Sequence, residues 1–368
     1  MPSRACVTPE SWQYAGSVNR PTPQPRSVVA DIPTYRAGKP ADDDTHKLAS
    51  NENPLEPLPT VRQRITEALG RVNRYPDASC SQLYAALARQ LDVPAHWLIA
   101  GTGSVHVLYG LLCAWCETGD DVVYAWRSFE AYPIAVALSG ATGVPVPLTD
   151  GRHDLEAMRA AVTERTKVVL VCTPNNPTGP AVDHDDLTAF IASVPGDVLV
   201  VIDEAYGEFV RGPGAARGLD LVREHRNVVV LRTFSKAYGL AGLRVGYAIA
   251  HPLVIEHLAK AIAPFSVSSI AQEAAIASLD AQNELAARVD GIVAERERVI
   301  GQLRDQGWPI PDSEGNFVWV PAGGESARIA TELSPLSVRL FDDEGIRVTI
   351  GTPQINAQFV DLMRAIGS

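Results

Sequence analysis

The sequence predicts an α/β fold in which a large, mainly parallel sheet domain is followed by a smaller α+β domain. Three nearly continuous apolar runs, at 166–172, 197–203 and 227–233, are typical of strands buried on both faces of a parallel sheet. They recur at intervals of about 30 residues, the size of a strand–helix–strand unit. Helix-like segments separate them, as connections between parallel strands require.

The large domain is predicted to span residues 35–265. Two segments with helical periodicity, 60–72 and 79–91, come before the apolar runs, and a further strand candidate lies at 121–126. This alternation is the one expected for a sheet that is covered by helices.

The smaller domain is predicted to span residues 266–368. Residues 268–307 have the pattern of one or two long helices. Strand candidates follow at 316–321 and 345–351, and the chain closes with a helical pattern at 356–367.

Residues 1–34 are predicted to form an N-terminal arm. Proline and polar residues dominate the first 26 residues, and the apolar residues are too few for a core. The start of the chain also lacks the apolar stretch of a signal peptide. We therefore expect an extended arm, able to dock on a partner subunit, and no secretion signal.

The composition disfavours several classes of function. The net charge of −11 argues against non-specific binding to nucleic acid or to anionic membranes. No apolar run reaches the roughly 18 residues that a membrane helix needs. The five cysteines are irregularly spaced, which favours reduced thiols. We expect a cytoplasmic protein that binds neither nucleic acid nor membrane.

Cys113 and Cys116 form a CxxC sequence inside an apolar helical segment. A redox pair would be expected near the start of a helix, and a zinc site would need a second pair of ligands. The pattern favours a packed core helix, and we predict no metal site.

Polar groups follow each of the three buried apolar runs. Asn176 follows the first run in a turn rich in proline and glycine. Asp203 ends the second run, Tyr206 comes three residues later, and Lys236 follows the third run. Ligands of open parallel sheets bind beyond the carboxyl ends of the strands, so we expect these side chains to meet. Taken singly, each also fits a structural role, as a turn, a helix cap or a solvated charge.

Lys236 lies among alanine, glycine, tyrosine and leucine residues, which should leave its amine poorly hydrated and lower its pKa. A neutral lysine amine is a nucleophile that forms Schiff bases with carbonyl groups. Together with Asp203, a carboxylate able to pair with a pyridinium nitrogen, it gives the pattern expected for pyridoxal 5'-phosphate. In this hypothesis Tyr206 and Asn176 hydrogen-bond the phenolate oxygen of the ring.

The phosphate of such a cofactor needs donors of its own. The loop GTGS at 101–104 precedes a helical pattern, and backbone N–H groups at a helix N-terminus bind anions. Ser235 and Arg244 can add side-chain donors. Phe129, which follows the strand candidate at 121–126, either stacks on the cofactor ring or belongs to the core.

The motifs of the chain resemble those of the fold-type I pyridoxal-phosphate aminotransferases, and within them the histidinol-phosphate aminotransferase group. They run in family order and cover almost all of residues 30–355: KLASNENP (47–54), NRYPD (73–77), GTGS (101–104), TPNNPTG (173–179), DEAYGEF (203–209), RTFSKAYGLAGLRVGY (232–247), NFVWV (316–320) and IRVTIGTP (346–353). The resemblance implies the fold-type I architecture and a transaminase that uses pyridoxal phosphate.

The resemblance also implies how the cofactor is held. Lys236 would bind it covalently and move the proton between the substrate Cα and the cofactor. Asp203 would pair with the pyridinium nitrogen, and Asn176 and Tyr206 with the phenolate oxygen. The implied phosphate ligands are Gly103, Ser104, Ser235 and Arg244, with Thr233 as a weaker candidate.

Other matching residues would act across the subunit interface or on the substrate. Tyr75 would reach the phosphate bound in the neighbouring subunit, which implies a homodimer. Arg347 would hold the α-carboxylate of the substrate, and Tyr35 and Asn51 would lie on the substrate side of the site.

Two stretches of the sequence bear on the choice of substrate. Histidinol-phosphate enzymes typically carry acidic residues just after the glycine loop, where this chain has Val105 and His106. The stretch WRSFEAYP (126–133) is similar to the actinobacterial aromatic amino acid aminotransferases. We therefore predict amino transfer from phenylalanine or tyrosine to a 2-oxo acid such as 2-oxoglutarate. Histidinol phosphate is the alternative donor.

Some features depart from the family pattern. Glu56 stands where a glycine is usual, His106 is unusual even for the aromatic branch, and the arm is long and rich in proline. They leave open a relative recruited to a specialised pathway with an unusual amino acid. Two further alternatives are a decarboxylase or oxidase on the same fold and the sensor domain of a transcription regulator.

Overall fold

The computed structural model describes residues 23–35, 38 and 43–367. Most of the predicted N-terminal arm lies outside the described residues. The described chain forms two sheets with helices around them, which is the predicted combination of a large α/β domain and a smaller α+β domain.

A seven-stranded sheet in the order β1-β7-β6-β5-β4-β2-β3 forms the centre of the large domain. Its strands are β1 (Leu98–Gly101), β2 (Asp121–Trp126), β3 (Thr142–Pro147), β4 (Thr166–Cys172), β5 (Leu199–Asp203), β6 (Val228–Thr233) and β7 (Gly246–Ala250). β7 is antiparallel to both of its neighbours, and the other strand pairs are parallel. The mainly parallel sheet predicted from the apolar runs is confirmed.

Helices flank the strands of the large sheet along the chain. They are α1 (Ser27–Asp31), α2 (Pro59–Leu69), α3 (Ser81–Leu91), α4 (Ser104–Trp115), α5 (Ala131–Ser139), α6 (Leu155–Ala160), α7 (His184–Ser193), α8 (Gly218–Glu224) and α9 (Pro252–Ala261). α4, α5 and α9 bury their apolar residues on one face of the sheet, and α2, α3, α7 and α8 on the other.

Successive residues of the central strands point into these two opposite cores. In β4, Val169 and Val171 pack with α3 and α7, whereas Val168 and Leu170 pack with α4 and α5. Side chains alternate along a strand, so a strand with an apolar core on each face has to be apolar throughout. This is why β4, β5 and β6 were predictable as continuous apolar runs.

A three-stranded antiparallel sheet in the order β8-β10-β9 forms the centre of the smaller domain. Its strands are β8 (Phe317–Val320), β9 (Arg339–Phe341) and β10 (Gly345–Thr349). The helices after the large sheet are α10 (Ser269–Asp280), α11 (Gln282–Asp305), α12 (Ser326–Glu332) and α13 (Pro353–Gly367).

The segment 268–307 forms two helices that belong to different cores. α10 packs against α2 and α3 in the core of the large sheet, and α11 packs against α13 in the core of the small sheet. The interruption at Ala281 is therefore the point at which the chain passes from one core to the other. The predicted boundary between residues 265 and 266 stays a prediction.

Four strands give too weak a pattern to be predicted from the sequence. β3 carries Pro145 and Pro147 and lies at the edge of the sheet, where missing N–H donors are tolerated. β1, β7 and β9 are only 4, 5 and 3 residues long, too short for a periodic signal.

The CxxC sequence lies at the end of α4, which buries Leu108, Leu111 and Leu112 in the core, as predicted for a packed helix. Cys113 and Cys116 are unbridged. No helix among the described residues is both long enough and apolar enough to cross a membrane.

The topology brings five chain segments to one edge of the large sheet. β1, β2, β4, β5 and β6 all run in the same direction, so the residues that follow them meet at the carboxyl edge. The register places Asp203, the last residue of β5, beside Cys172 at the end of β4 and Leu231 in β6. The site is built at this edge.

A buried arginine joins the two domains. Arg296 lies on α11 and is only 1% exposed. Its guanidinium donates to the carbonyls of Phe209 (3.3 Å) and Gly315 (3.0 Å) and pairs with Glu297 (2.8 Å) and Glu314 (3.5 Å). Phe209 follows β5 and Gly315 precedes β8, so one side chain satisfies backbone acceptors of both domains.

We expect Arg296→Met to destabilise the protein by roughly 2–4 kcal/mol, because two buried carbonyls lose their donor. Urea unfolding followed by circular dichroism measures the change. Arg328→Met is the matched control, since Arg328 lies on the exposed face of α12 with Glu325 and Glu332 and should barely move the midpoint. Equal shifts in the two variants would contradict the role of Arg296.

Candidate active site

A cavity of about 580 Å³, here called the edge cavity, lies between the carboxyl edge of the large sheet and strands β9 and β10. The predicted site residues that line it are Tyr35, Gly103, Ser104, Phe129, Asn176, Asp203, Tyr206, Thr233, Ser235, Lys236, Arg244 and Arg347. A more open cleft of about 770 Å³ between α6 and α7 contains none of the predicted residues.

Lys236 follows β6 and points its amine into the edge cavity. Its Nζ donates to the carbonyl of Ser50 at 2.9 Å and lies 5.9 Å from the centre of the Tyr206 ring. Burial and, to a smaller extent, the nearby Arg347 lower the pKa of Lys236, Glu52 and Asp203 act in the opposite direction, and the net pKa is about 7. A large fraction of this amine is therefore unprotonated and nucleophilic near neutral pH.

Asp203 is a buried carboxylate at the end of β5. It accepts a hydrogen bond from the Tyr132 hydroxyl at 2.8 Å and from the backbone N–H of Ala205 at 3.2 Å. Burial raises the pKa of Asp203, and these two hydrogen bonds oppose the rise. A cationic partner in the cavity would offset the cost of burying this charge.

Tyr132 is a residue of the site that the sequence analysis missed. It lies on α5, is 1% exposed, and its hydroxyl contacts Asp203, which lines the edge cavity. The two residues are 71 positions apart, and nothing in their spacing indicates the contact. Tyr132 lies in the stretch WRSFEAYP, which is similar to the actinobacterial aromatic amino acid aminotransferases. That similarity could have indicated Tyr132, whereas no spacing pattern could.

Tyr206 is held by a residue from the start of the described chain. The side-chain amide of Asn51 donates to the Tyr206 hydroxyl at 2.8 Å. Asn51 is 1% exposed and its backbone N–H donates to the Thr349 hydroxyl on β10 at 2.9 Å. Asn51 lies behind Tyr206 and orients it; its predicted contact with substrate stays a prediction.

Arg347 projects from β10 into the edge cavity. Its guanidinium donates to the carbonyl of Ala49 at 2.7 Å and makes a short hydrogen bond to the side-chain oxygen of Asn176. The Nε atom is buried without a hydrogen-bond partner among the described residues. Phe317 and Phe341 lie with their rings 5.7 Å from the guanidinium carbon.

The donors predicted for a phosphate lie together at the other side of the cavity. Gly103 has a φ of +87°, and a Cβ there would lie 2.6 Å from the Arg244 guanidinium. Ser104 begins α4, so its N–H belongs to the N-terminus of a helix. Arg244 donates to the Ser235 hydroxyl at 3.3 Å, and Ser235 donates its N–H to the Thr233 hydroxyl at 3.1 Å.

Phe129 and Tyr35 contribute aromatic walls to the cavity. Phe129 follows β2 and packs edge-on against Tyr132, with ring centres 5.6 Å apart. Tyr35 lines the cavity and is 49% exposed, so it stands at the mouth. Either aromatic ring can cover a flat ligand.

Tyr75 lies outside the edge cavity of its own chain. It is 84% exposed, and its ring packs against the exposed Phe265 with centres 4.8 Å apart.

Two residues depart from the family pattern. Glu56 forms an exposed ion pair with Arg62 at 2.6 Å. His106 accepts a hydrogen bond from the N–H of Thr102 at 3.3 Å, so it supports the glycine loop from behind.

The arrangement combines an anion-binding corner, a nucleophilic amine, a buried carboxylate and a buried guanidinium. No cluster of side chains suited to a metal ion occurs in the described part of the chain. A third guanidinium besides those of Arg244 and Arg347, that of Arg339 on β9, also lines the cavity and was missed by the sequence analysis. Its strand is three residues long and gave no pattern.

The chain matches the family model of aminotransferase class I and II over residues 43–360. It is 51% identical over 345 residues to an aromatic amino acid aminotransferase of Streptomyces avermitilis, covering 92% of this chain and 96% of that protein. The aromatic amino acid aminotransferase of Streptomyces coelicolor is 52% identical with the same coverage.

Solved structures share the fold. The histidinol-phosphate aminotransferase of Sinorhizobium meliloti, in complex with pyridoxal-5'-phosphate, superposes with a TM-score of 0.83 and 27% identity over 95% of this chain and 100% of that chain. A tetra mutant of Thermus thermophilus aspartate aminotransferase superposes with a TM-score of 0.79 over 94% of this chain and 100% of that chain. At 22% identity it shows the fold alone.

We expect Lys236 to react with a small aldehyde and cyanoborohydride with a rate that rises through about pH 7, because its amine loses its proton near that pH. Mass spectrometry of the Lys236 peptide from cofactor-free protein measures the extent of labelling. Lys236→Arg is the control that removes the signal. A midpoint near 10.5, the ordinary lysine value, would contradict the low hydration of this amine.

Proposed function

The chain belongs to the aminotransferase class I and II family, which confirms the predicted family and makes the protein an aminotransferase, and we propose that it binds pyridoxal 5'-phosphate in the edge cavity. The observation that carries the proposal is the meeting of the low-pKa amine of Lys236 with the buried carboxylate of Asp203 at one sheet edge. The complex of the Sinorhizobium meliloti relative with this cofactor supports it.

The residues of the edge cavity fit the chemical groups of this cofactor. Gly103 leaves no room for a side chain beside Arg244, so the loop and the guanidinium can close on a phosphate. Ser104 and Ser235 supply hydroxyl groups at the same corner. Asp203 meets the need for a carboxylate beside the pyridinium nitrogen, and the Tyr206 hydroxyl and Asn176 amide suit the phenolate oxygen.

When bound, pyridoxal phosphate supplies an aldehyde carbon that exchanges amines and a ring that withdraws electrons from the substrate Cα. Lys236 acts as the base that takes the proton from the substrate Cα. Its pKa of about 7 suits this work, since the amine is then partly neutral and still able to return a proton. Ser50 accepts a hydrogen bond from Nζ and so fixes where the amine points.

Asp203 keeps a negative charge in a place where burial disfavours it. The Tyr132 hydroxyl and the Ala205 N–H both stabilise the ionised carboxylate. An ionised Asp203 would favour the protonated form of the ring nitrogen of the cofactor, which is the form that withdraws electrons best. Tyr132 is thus a positioning residue for Asp203.

Arg347 is proposed to hold the α-carboxylate of the substrate. Its Nε is buried and unpaired in the described structure, so it needs an acceptor. A carboxylate accepts two parallel hydrogen bonds from a guanidinium, which fixes its orientation as well as its position. The rings of Phe317 and Phe341 pack beside this guanidinium, and Arg347 is only 7% exposed.

We propose aromatic amino acids, phenylalanine or tyrosine, as donors and a 2-oxo acid such as 2-oxoglutarate as acceptor. Relatives named aromatic amino acid aminotransferases are about half identical over nearly the whole chain, whereas the histidinol-phosphate aminotransferase is 27% identical. Aromatic side chains of Tyr35, Tyr109 and Phe129 line the cavity and suit a flat apolar ligand.

We further propose a homodimer in which Tyr75 reaches the phosphate of the neighbouring subunit. Tyr75 and Phe265 are large exposed apolar groups in contact with each other, and Leu69 and Val72 nearby in the chain are also exposed. Such a group of apolar side chains on the surface favours contact with a second copy. A cytoplasmic location is proposed with it, since the unbridged cysteines fit a reducing compartment.

We expect the protein to transfer the amino group of phenylalanine to 2-oxoglutarate with a kcat/KM about tenfold or more above that for histidinol phosphate, since histidinol phosphate has a phosphate group in place of the α-carboxylate that Arg347 would hold. Phenylpyruvate and glutamate are measured by chromatography. Lys236→Ala should abolish transfer, and Lys260→Ala, an exposed lysine on α9, should not. Release of carbon dioxide or consumption of oxygen instead would refute transamination.

Tyr75→Phe is expected to weaken binding of pyridoxal phosphate to the cofactor-free protein about tenfold, because a hydroxyl hydrogen bond to a charged group is lost. Absorbance titration gives the Kd. In hybrids of Tyr75→Phe with Lys236→Ala subunits, the site with intact Lys236 faces an intact Tyr75 and should regain normal affinity. If the hybrid still binds the cofactor weakly, Tyr75 contacts the phosphate bound in its own chain and the proposal is wrong.

A further inference from the structure

A bidentate ion pair lies at the small-domain wall of the edge cavity. Arg339 on β9 donates from Nε to Glu130 at 3.1 Å and from NH2 to both carboxylate oxygens at 2.9 Å. The two side chains are 13% and 26% exposed. Arg339 lines the cavity, and Glu130 sits behind it at the start of α5.

Arg339 stands directly beside Arg347. The two residues are opposite partners on the antiparallel strands β9 and β10. Opposite residues have Cβ atoms about 5 Å apart on the same face of a sheet, so both guanidinium groups face the cavity. The ring of Phe341 lies 5.9 Å from one guanidinium carbon and 5.7 Å from the other. A substrate held by Arg347 therefore extends within reach of Arg339.

The charges on this wall are balanced before a substrate arrives. Glu130 favours the charged form of Arg347, and Arg339 disfavours it, so both act on the same guanidinium. Arg339 is matched by Glu130, and the charge of Arg347 is left for the α-carboxylate of the substrate. No net positive charge remains on this wall for a second anionic group.

We propose that Glu130 is a specificity-determining residue that neutralises Arg339 and so makes the side-chain end of the cavity favour uncharged side chains over anionic ones. The inference rests on the proposed function, because it assumes that Arg347 holds the α-carboxylate. A side chain with a phosphate dianion meets the carboxylate of Glu130 and is repelled. A ligand with a distal carboxylate has to compete with Glu130 for Arg339.

A ligand with a distal carboxylate can displace Glu130 from Arg339. Its carboxylate oxygens make hydrogen bonds to Arg339 and to no other group that the described residues provide. The acceptor 2-oxoglutarate carries one distal charge and binds by displacing Glu130, at some loss of affinity. Aromatic donors leave the pair intact. The Glu130–Arg339 pair thus ranks ligands by the charge of their side chain: neutral side chains bind best, monoanionic ones less well and dianionic ones worst.

A second ion pair provides a matched control. Arg127 and Glu344 join the same loop of the large domain to the turn that follows β9, the strand of Arg339, with Nε donating at 2.8 Å. Neither residue lines the edge cavity. Glu344→Gln therefore removes a contact between the domains without changing the charge of the cavity wall.

The test compares wild type, Glu130→Gln and Glu344→Gln with two dead-end inhibitors, glutarate and 3-phenylpropanoate, in the phenylalanine assay. In Glu130→Gln, glutarate should inhibit about tenfold more tightly, the effect of one uncovered charge in a partly solvated cleft. 3-Phenylpropanoate should inhibit within about twofold of wild type, because a neutral ring gains nothing from a charge. Glu344→Gln should match wild type with both.

Kinetics with alternative donors give a second readout. The ratio of kcat/KM for glutamate, whose side chain carries a carboxylate, to that for phenylalanine should rise about tenfold in Glu130→Gln and stay unchanged in Glu344→Gln. The double variant Glu130→Gln with Arg339→Gln should lose both gains, since the uncovered guanidinium is gone.

Three results would each overturn the role of Glu130 and leave the proposed function intact. They are an unchanged inhibition constant of glutarate in Glu130→Gln, an equal shift of that constant in Glu344→Gln, and tighter glutarate inhibition that persists in the double variant. A wild type that transfers no amino group from phenylalanine would overturn the proposed function and this inference together.

Discussion

The poor hydration of the Lys236 amine is the constraint on which the rest of the site depends. Burial and the neighbouring Arg347 both disfavour the ammonium form and bring its pKa down to about 7. A further unbalanced cation near this amine would lower the pKa more, and an unpaired carboxylate would raise it. Of the other guanidinium groups that line the cavity, that of Arg339 is balanced by Glu130, whereas that of Arg244 donates to the neutral Ser235 and Ala241 and contributes to the lowered pKa of Lys236.

The large sheet makes this constraint tolerable. β5 and β6 are buried on both faces, so their ends are fixed in register by apolar packing that does not involve the site. Asp203 and Lys236 follow from those ends, and their distance from each other is set by the spacing of two strands. A rigid scaffold can hold a buried carboxylate and a buried amine at unfavourable positions, because the free energy of the core offsets their desolvation.

The parts of the site that could be predicted are those that follow continuous apolar runs. Asn176, Asp203 and Lys236 come after β4, β5 and β6, and the rule that parallel strands end at one edge brought them together. The contacts of Tyr132 with Asp203 and of Glu130 with Arg339 join residues 71 and 209 positions apart. No local spacing encodes such pairs, because tertiary packing alone creates them. In addition, β9 is too short to give a periodic pattern from which a strand could be predicted.

Arg347, the proposed carboxylate ligand, also links the two domains. It lies in the small domain and is bonded to Asn176 beside β4 and to the carbonyl of Ala49, while its Nε lacks a partner among the described residues. A carboxylate that binds this guanidinium in a bidentate manner uses at least one terminal nitrogen, and so competes with Asn176 or Ala49. Binding at this residue therefore alters a contact between the domains, which couples the hold on the substrate to the fit of one domain on the other.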